Sequence, residues 1–562
     1  MSHISSIASA AALLAGVASA WPTLFSREET FINGTTNGTN TRIYDFADLP
    51  PRPDLVWTPC WEDRFTCANL EVPLDYEDES AGTTNVAFIK VSGAGGNGAG
   101  QNIYFNPGGP GGSGVQSALG GLLDQVLSVF GPGYNIISFD PRGVNNSGPS
   151  PLTCWSDAEA KAAYSQPSPS SDLKEFYAAN VAYGEYCTKT NEETNVKYAG
   201  TLAVVQDIVH FHELDIVLNG GDPATTPIWY YGVSYGTVIG QTLAVTYPDR
   251  IGRMILDGNV YGKQHFTGYV SSDIDDTDTT FAYFFQYCFE AGPSKCPFAG
   301  NSSSASALET RYLNLLDRLE NEPIRISDHA TPTPQIITRF GFSSWAFPLT
   351  YSPANGFPIL ARVAADLENG NYSTYVAATS GGSSGSSAPS NPNYDDAASQ
   401  EALQLITCID ANTRYPLTNF SLYSAALTKS ERESIYGGES NGKSNVIICA
   451  GFGISPPASQ LFPGFSKVKT ASPILFVNNV ADPVTPLSSA LRMSDYFEDS
   501  VVLTQDTPGH GFIGIKSSCT HEHLRKYLDE GVLPEEGTVC EPDHPYAPFA
   551  DVAVERKVRR IA

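Results

Sequence analysis

The stretch Ile228-Trp-Tyr-Tyr-Gly-Val-Ser-Tyr-Gly236 restricts what this chain can fold into more than any other part of it. One β-branched and three aromatic residues read as a buried strand, the pentad Gly232-Val-Ser-Tyr-Gly236 follows at once, and a helical pattern runs on from Thr237 to Tyr247. A strand that turns straight into a helix through Gly-x-Ser-x-Gly is the setting of a nucleophile elbow. The serine on so sharp a turn takes a strained backbone conformation, and side chains at the flanking glycines would collide with the neighbouring strand and helix. Ser234 is therefore the candidate nucleophile, and the fold must supply a sheet from whose strand end a helix departs.

The rest of the chain carries such a sheet. Short runs at Val86–Val91, Ile103–Phe105, Tyr134–Phe139, Arg253–Leu256, Pro473–Val477 and Val501–Thr504 read as strands. Helical periodicity occupies Leu202–Leu218, Leu487–Tyr496 and His521–Leu528. This alternation predicts an α/β fold with a mostly parallel central sheet flanked by helices. From about Val260 to Thr470 the rhythm is lost, and helical segments such as Phe281–Glu290 and Ala307–Glu320 alternate with irregular loops. The expected division is residues 54–259 for the first part of the core, 260–470 for a large, mainly helical inserted cap, and 471–562 for the second part. Within the cap, the serine- and glycine-rich run from Ser380 to Pro392 reads as a flexible surface loop.

A serine hydroxyl attacks only when a base takes its proton, and His510 is placed for this. It lies in Asp506-Thr-Pro-Gly-His-Gly-Phe512, just past the last strand. The acid that orients such an imidazole is expected at a strand end between the serine and the histidine. Asp482 follows Ile474-Leu-Phe-Val-Asn-Asn479 and precedes Pro483-Val-Thr-Pro486, so a strand ends in a turn that presents its carboxylate. The competitor is Asp257, at the end of the preceding strand. A tetrahedral intermediate also needs N–H donors for its oxyanion. One is expected from Tyr235, after the nucleophile, and one from Gly109 in the loop Asn106-Pro-Gly-Gly-Pro-Gly-Gly-Ser-Gly114. That loop lacks the Gly-Lys-Ser/Thr ending of a phosphate-binding loop, and its proline removes a donor.

Composition narrows the setting. The formal charge of −27 disfavours nucleic acid or an anionic membrane as partner. At the amino terminus an apolar stretch from Ile7 to Val17 leads to Ala18-Ser-Ala20, so residues 1–20 read as a signal peptide and 21–53 as a polar segment of a secreted, extracellular protein. The ten cysteines fall in near neighbours, Cys60 with Cys67, Cys154 with Cys187, Cys288 with Cys296, Cys408 with Cys449, and Cys519 with Cys540. An even count in an exported chain implies disulfides, and the spacings do not suit zinc; no metal is expected. Asn-x-Ser/Thr sequons stand at Asn33, Asn37, Asn145, Asn301, Asn371 and Asn419.

With these motifs in view the sequence resembles the tripeptidyl-aminopeptidase and proline-iminopeptidase group of α/β-hydrolases. The resemblance runs from Trp57-Thr-Pro-Cys60 through Val72-Pro-Leu-Asp-Tyr76, Asn106–Gly114, Asp140-Pro-Arg-Gly143 and the elbow to Asp482-Pro-Val-Thr-Pro486 and Gly509-His-Gly511. The tail, with Cys519, Tyr527-Leu-Asp-Glu-Gly-Val-Leu-Pro534 and Gly537-Thr-Val-Cys540, resembles the carboxy-terminal segment of the tripeptidyl type. It implies the α/β-hydrolase fold and a serine exopeptidase releasing short peptides from free amino termini without metal or organic cofactor, the insert limiting substrate reach. An esterase or amidase for small molecules uses the same residues, and a non-catalytic binding protein of the same fold is a third reading. An exopeptidase must also bind the substrate's ammonium, and a carboxylate in a partly desolvated cleft does this best. Candidates in the cap are Asp273, Asp275, Asp276, Asp278 and Asp410.

Overall fold

A computed structural model describes residues 42–93, 100–164, 172–327, 331, 333–380, 396–544 and 547–549. The segment read as a signal peptide, most of the polar segment with Asn33 and Asn37, and the serine- and glycine-rich run from residue 381 lie outside them. In chain order the strands are β1 (Thr58–Pro59), β2 (Phe65–Pro73), β3 (Thr83–Ser92), β4 (Gln101–Asn106), β5 (Tyr134–Phe139), β6 (Ile228–Val233), β7 (Ile251–Asp257), β8 (Ile324–Ile326), β9 (Gln335–Ile337), β10 (Leu475–Ala481), β11 (Val501–Pro508) and β12 (Val539–Cys540).

Ten of these form one sheet in the order β1-β2-β3-β5-β4-β6-β7-β10-β11-β12. Pairing is antiparallel from β1 to β5 and parallel from there to β12. The strands read from the sequence as central are covered on both faces, which is why they lack polar alternation. Along β5, Tyr134 and Ile136 enter one hydrophobic cluster while Ile137 and Phe139 enter the other. Residues Leu475 and Val477 of β10 likewise divide from Phe476.

The structure adds β2, which the sequence reading passes over. Its run Phe65-Thr-Cys-Ala-Asn-Leu-Glu-Val-Pro73 is interrupted by polar residues and closes on a proline, both weak strand signals. Pairing of its whole length with β3 overrides them. The short β8–β9 hairpin, between β7 and β10, and the two-residue edge strands β1 and β12 are further additions. Several helices begin earlier than their periodicity suggests; the one after the elbow spans Tyr235–Thr246, so its first residue follows Ser234 directly.

The motif Asp140-Pro-Arg-Gly143 ties this core together. Asp140 is buried and accepts from Ser113 Oγ (2.5 Å), Val115 N (3.1 Å) and the side chains of Asn145 and Asn146, so it anchors the end of the glycine loop after β4. Arg142 is also buried and grips Asp207 through Nε and Nη2 (2.7 Å each) and the carbonyls of Pro73 and Leu74. Between β7 and β10 the chain is mainly helical, with a hydrophobic cluster of its own around Phe281, Phe284, Tyr312 and Phe357, into which Phe549 also inserts. All five neighbour pairs of cysteines form disulfides. No helix among the described residues is long and apolar enough to cross a membrane.

The sequons differ in accessibility. Asn301, Asn371 and Asn419 are exposed, whereas Asn145 is half-buried at φ 47° with Nδ2 donating to Ser113 Oγ (3.1 Å) and Asp140 Oδ2 (3.1 Å). For protein exported by a eukaryotic host, deglycosylation in heavy-oxygen water followed by peptide mass analysis is expected to mark the three exposed sites and leave Asn145 unmarked.

Candidate active site

Ser234 holds φ 59° and ψ −128°, a region that costs a non-glycine residue about 1–3 kcal/mol unless the surroundings fix it. They do so here. Its N–H donates to Asp257 O (3.0 Å), and its carbonyl accepts from Thr237 N (2.8 Å) and Thr237 Oγ1 (2.6 Å). The flanking glycines are required by space: a Cβ on Gly232 would lie 2.3 Å from Gly236 O, and one on Gly236 would lie 2.4 Å from Asn106 O. The loop after β4 presses on the elbow from above, since a Cβ on Gly108 would meet Ser234 Cβ at 2.6 Å. Gly109 and Tyr235, read from the sequence as oxyanion donors, therefore border Ser234 in one cavity. As the first residue of its helix, Tyr235 has an N–H without an intrahelical acceptor, at the end where the helix dipole favours negative charge.

His510 and Asp482 also come together. His510 Nδ1 lies 2.9 Å from Asp482 Oδ2 and 3.1 Å from Oδ1. Asp482 is fully buried at the end of β10, and Oδ1 accepts from Val484 N (3.1 Å) and Thr485 N (2.9 Å). This is the turn that Asp-Pro-Val-Thr-Pro foretells, an aspartate bonded to the backbone two and three residues on. With Nδ1 directed to the carboxylate, Nε2 is the imidazole nitrogen left for a proton from serine. No hydrogen bond joins Ser234 Oγ to His510 among the described residues; such links often tighten only with substrate in place.

Burial alone pushes the His510 imidazole down, but the charge of Asp482 and its hydrogen bond outweigh this, aided by Asp257, and hold the imidazole above its ordinary value. Asp257 sits in a different environment. Its oxygens accept from Phe512 N (3.2 and 3.3 Å) and Tyr231 OH (3.1 Å), and burial pushes its carboxyl up to about 7 against those bonds. It supports the loop from beneath.

Residues between β7 and β10 complete the site, and these the sequence reading missed. Tyr351 O accepts from His510 N (2.9 Å). Thr277 Oγ1 donates to Pro483 O and Thr280 Oγ1 to Ala481 O (2.8 Å each), holding the acid loop. Nothing in the local sequence marks these positions, because each contact spans more than a hundred residues of chain. The cavity beside Ser234, about 170 Å³, is lined on this side by Asp273, Phe347, Tyr351, Leu403 and Ile448.

The five candidate carboxylates separate clearly. Asp276 accepts from Leu487 N (3.0 Å), Asp278 from Ser434 Oγ (2.6 Å) and Ile435 N (3.2 Å), and Asp275 lies toward Ser488 and Arg492. Asp410 is turned into the core, accepting from Thr201 and His265. Asp273 alone of the five lines the cavity, and its Oδ1 is buried with no hydrogen-bond partner. Burial, then the charges of Asp275 and Asp482, push its carboxyl well above the usual range. Elsewhere, Cys519, His523 and Cys540 approach one another, but the two sulfurs are joined in a disulfide and offer no thiolate pair.

The fold and the arrangement around Ser234 define a serine hydrolase of the α/β-hydrolase fold. Residues 101–321 match the family described as alpha/beta hydrolase fold, and residues 436–540 the family described as TAP-like protein. The chain is 27% identical over 513 residues to the serine protease Hip1 of Mycobacterium tuberculosis, covering 86% of this chain and 91% of that protein. It is 24% identical over 514 residues to the tripeptidyl aminopeptidase of Streptomyces coelicolor, covering 87% and 86%. It is also 23% identical over 501 residues to carboxylesterase B of M. tuberculosis, covering 87% and 90%. Within the α/β-hydrolases its likeness is thus to the TAP-like serine peptidases.

An imidazole acts as base only when neutral, so a raised His510 value shifts activity toward higher pH. The rising limb of kcat/KM against pH is expected to have its midpoint above about 6.5, the ordinary imidazole value. Asp482→Asn should move it down and lower kcat by about 10³–10⁴-fold. Asp257→Asn should keep kcat within about ten-fold, because an amide oxygen still accepts from Phe512 N. Steady-state kinetics on a simple ester check this, and the opposite order of losses would exchange the two aspartates.

Proposed function

We propose that the protein is a secreted serine exopeptidase that removes short peptides, tripeptides foremost, from free amino termini. Ser234 attacks the scissile carbonyl as His510 takes its proton, and Asp482 orients the ring and stabilises its charged form. The Gly109 and Tyr235 amides hold the oxyanion, and His510 returns the proton to the departing amine. Water then attacks the acyl-Ser234 ester as His510 takes its proton, and breaking of the ester bond releases the peptide acid while the proton returns to Ser234 Oγ. The helical region 260–470 acts as a cap that limits how much chain enters.

The observation that carries the exopeptidase reading is Asp273. An unpartnered, buried carboxylate oxygen in the wall of the nucleophile's cavity is costly unless a cation arrives, and a substrate ammonium would ionise it and pair with it. The peptidase relatives support the same reading, and the apolar stretch before Ala20 with five disulfides supports secretion. The likeness to a carboxylesterase favours small esters as the second reading.

Ser234→Ala is expected to abolish turnover and fluorophosphonate labelling while leaving the thermal unfolding temperature unchanged; labelling that survives would remove Ser234 from the role of nucleophile. Amino-acetylated peptides should lose about a hundred-fold or more in kcat/KM relative to free peptides. Asp273→Asn should raise KM for free peptides and spare simple esters. Product masses from a panel of free and blocked peptides decide the matter, and equal cleavage of both would leave the esterase reading in front.

A further inference from the structure

The helix Asp396–Ala411 reaches both segments assigned to the oxyanion hole, the glycine loop directly and Tyr235 through Thr201. Near its start, Ser399 Oγ donates to Gly111 O (2.9 Å). The approach is close: a Cβ on Gly111 would stand 2.4 Å from Ser399 O and 3.1 Å from Leu403 N. The glycine loop that carries Gly109 is thus laid directly against this helix.

Near its other end, Asp410 is buried, with Oδ1 accepting from Thr201 N (2.8 Å) and Oδ2 from Thr201 Oγ1 and His265 Nε2 (2.8 Å). Thr201 has one hydroxyl proton and gives it to the carboxylate. The contact of 2.6 Å between Thr201 Oγ1 and Tyr235 OH therefore has the phenol as donor. Burial, and then the charge of Asp410, raise the Tyr235 phenol well above its usual value, which keeps that proton in place. His265 lines the cavity and sets its ring 5.3 Å from that of Tyr235. The Cys408–Cys449 disulfide and the bond from Arg414 Nη2 to Asp410 O (2.7 Å) fix this end of the helix.

We infer that the Asp396–Ala411 helix is a brace for the oxyanion hole, with Asp410 as a positioning residue. Through Thr201 it fixes the ring of Tyr235 and hence the direction of the Tyr235 amide, while Ser399 fixes the loop of Gly109. Donors to a developing oxyanion act only if already aimed at it, and a single helix linked to both, directly at one and through Thr201 at the other, keeps their spacing constant. This rests on the assignment of Gly109 and Tyr235 as donors. It also gives Asp410 a role other than amine binding, since both of its oxygens are engaged.

The test uses the full chain with Asp410→Asn, Thr201→Val and Thr201→Ser, a p-nitrophenyl ester that has no amine, and an alkylboronic acid, whose tetrahedral adduct with serine fills the oxyanion site. Asp410→Asn and Thr201→Val are expected to lower kcat on the ester about ten-fold or more, with KM within about two-fold and boronate affinity reduced by a similar factor. Thr201→Ser, which restores the hydroxyl, should recover most of both. Should Asp410→Asn fail to fold, the two Thr201 variants read the same link. A fall in kcat with boronate affinity unchanged, wild-type kinetics with only a lower unfolding temperature, or a higher KM confined to free peptides would each overturn the proposal. Failure of the underlying reading is separate: if Ser234 were not the nucleophile these donors serve, Ser234→Ala would still hydrolyse the ester.

Discussion

The site depends on three backbone segments meeting with no side chain between them. Strands β4, β6 and β7 are neighbours in the sheet, with Asn106 level with Gly232 and Val233 level with Asp257, so their ends converge. At that point Gly232, Gly236 and Gly108 leave only backbone between the loop after β4, the elbow and the following helix. The strained Ser234 conformation is thereby enforced by its neighbours, and the strain places the hydroxyl against the cavity instead of against the sheet. An added methyl group at Gly108 or Gly236 would push that loop off the elbow, and one at Gly232 would push the start of the helix off the strand.

The histidine and the acid arrive by a different principle. Both sit on loops whose shape is set mainly by hydrogen bonds, with one close glycine contact beside His510, where a Cβ on Gly509 would lie 2.5 Å from Pro353 Cδ. Asp482 organises its own turn through Val484 and Thr485, Asp257 supports Phe512 N, and Asn479 Nδ2 donates to the carbonyls of Gly509 (2.8 Å) and Gly511 (2.9 Å). From outside, Thr277, Thr280 and the carbonyl of Tyr351 complete the set. The region between β7 and β10 is therefore part of the scaffold that holds the loops, in addition to forming the far wall of the cavity.

How legible each part was in the sequence follows from the range of the forces involved. The elbow is local: its glycines, serine and flanking strand lie within nine residues, so the place of Ser234 and Tyr235 at the strand–helix turn was readable outright. The position of Asp482 was readable from its turn and that of His510 from its place after β11. Neighbouring cysteines stood out in the sequence, but their connectivity was open there; the structure joins partners 7 to 41 residues apart. Strand β2 was not, since its support comes from β3 and not from its own composition. The choice among five aspartates was beyond the sequence as well: all occupy helix starts or helical stretches of similar composition. Only long-range partners, such as Thr201 for Asp410 and Leu487 for Asp276, show which are occupied and that Asp273 is not.

The grip of Thr277, Thr280 and Tyr351 on the acid and histidine loops bears on how such an enzyme can change its taste for substrates. A region that only covered the cavity could be exchanged between relatives as a module. Here a wholesale exchange would also remove the bonds that shape the catalytic loops, so divergence by cassette swapping is closed off unless those contacts travel with the cassette. The open route is side chain by side chain, at wall positions such as Phe347, Leu403 and Ile448, which face the cavity without holding either loop.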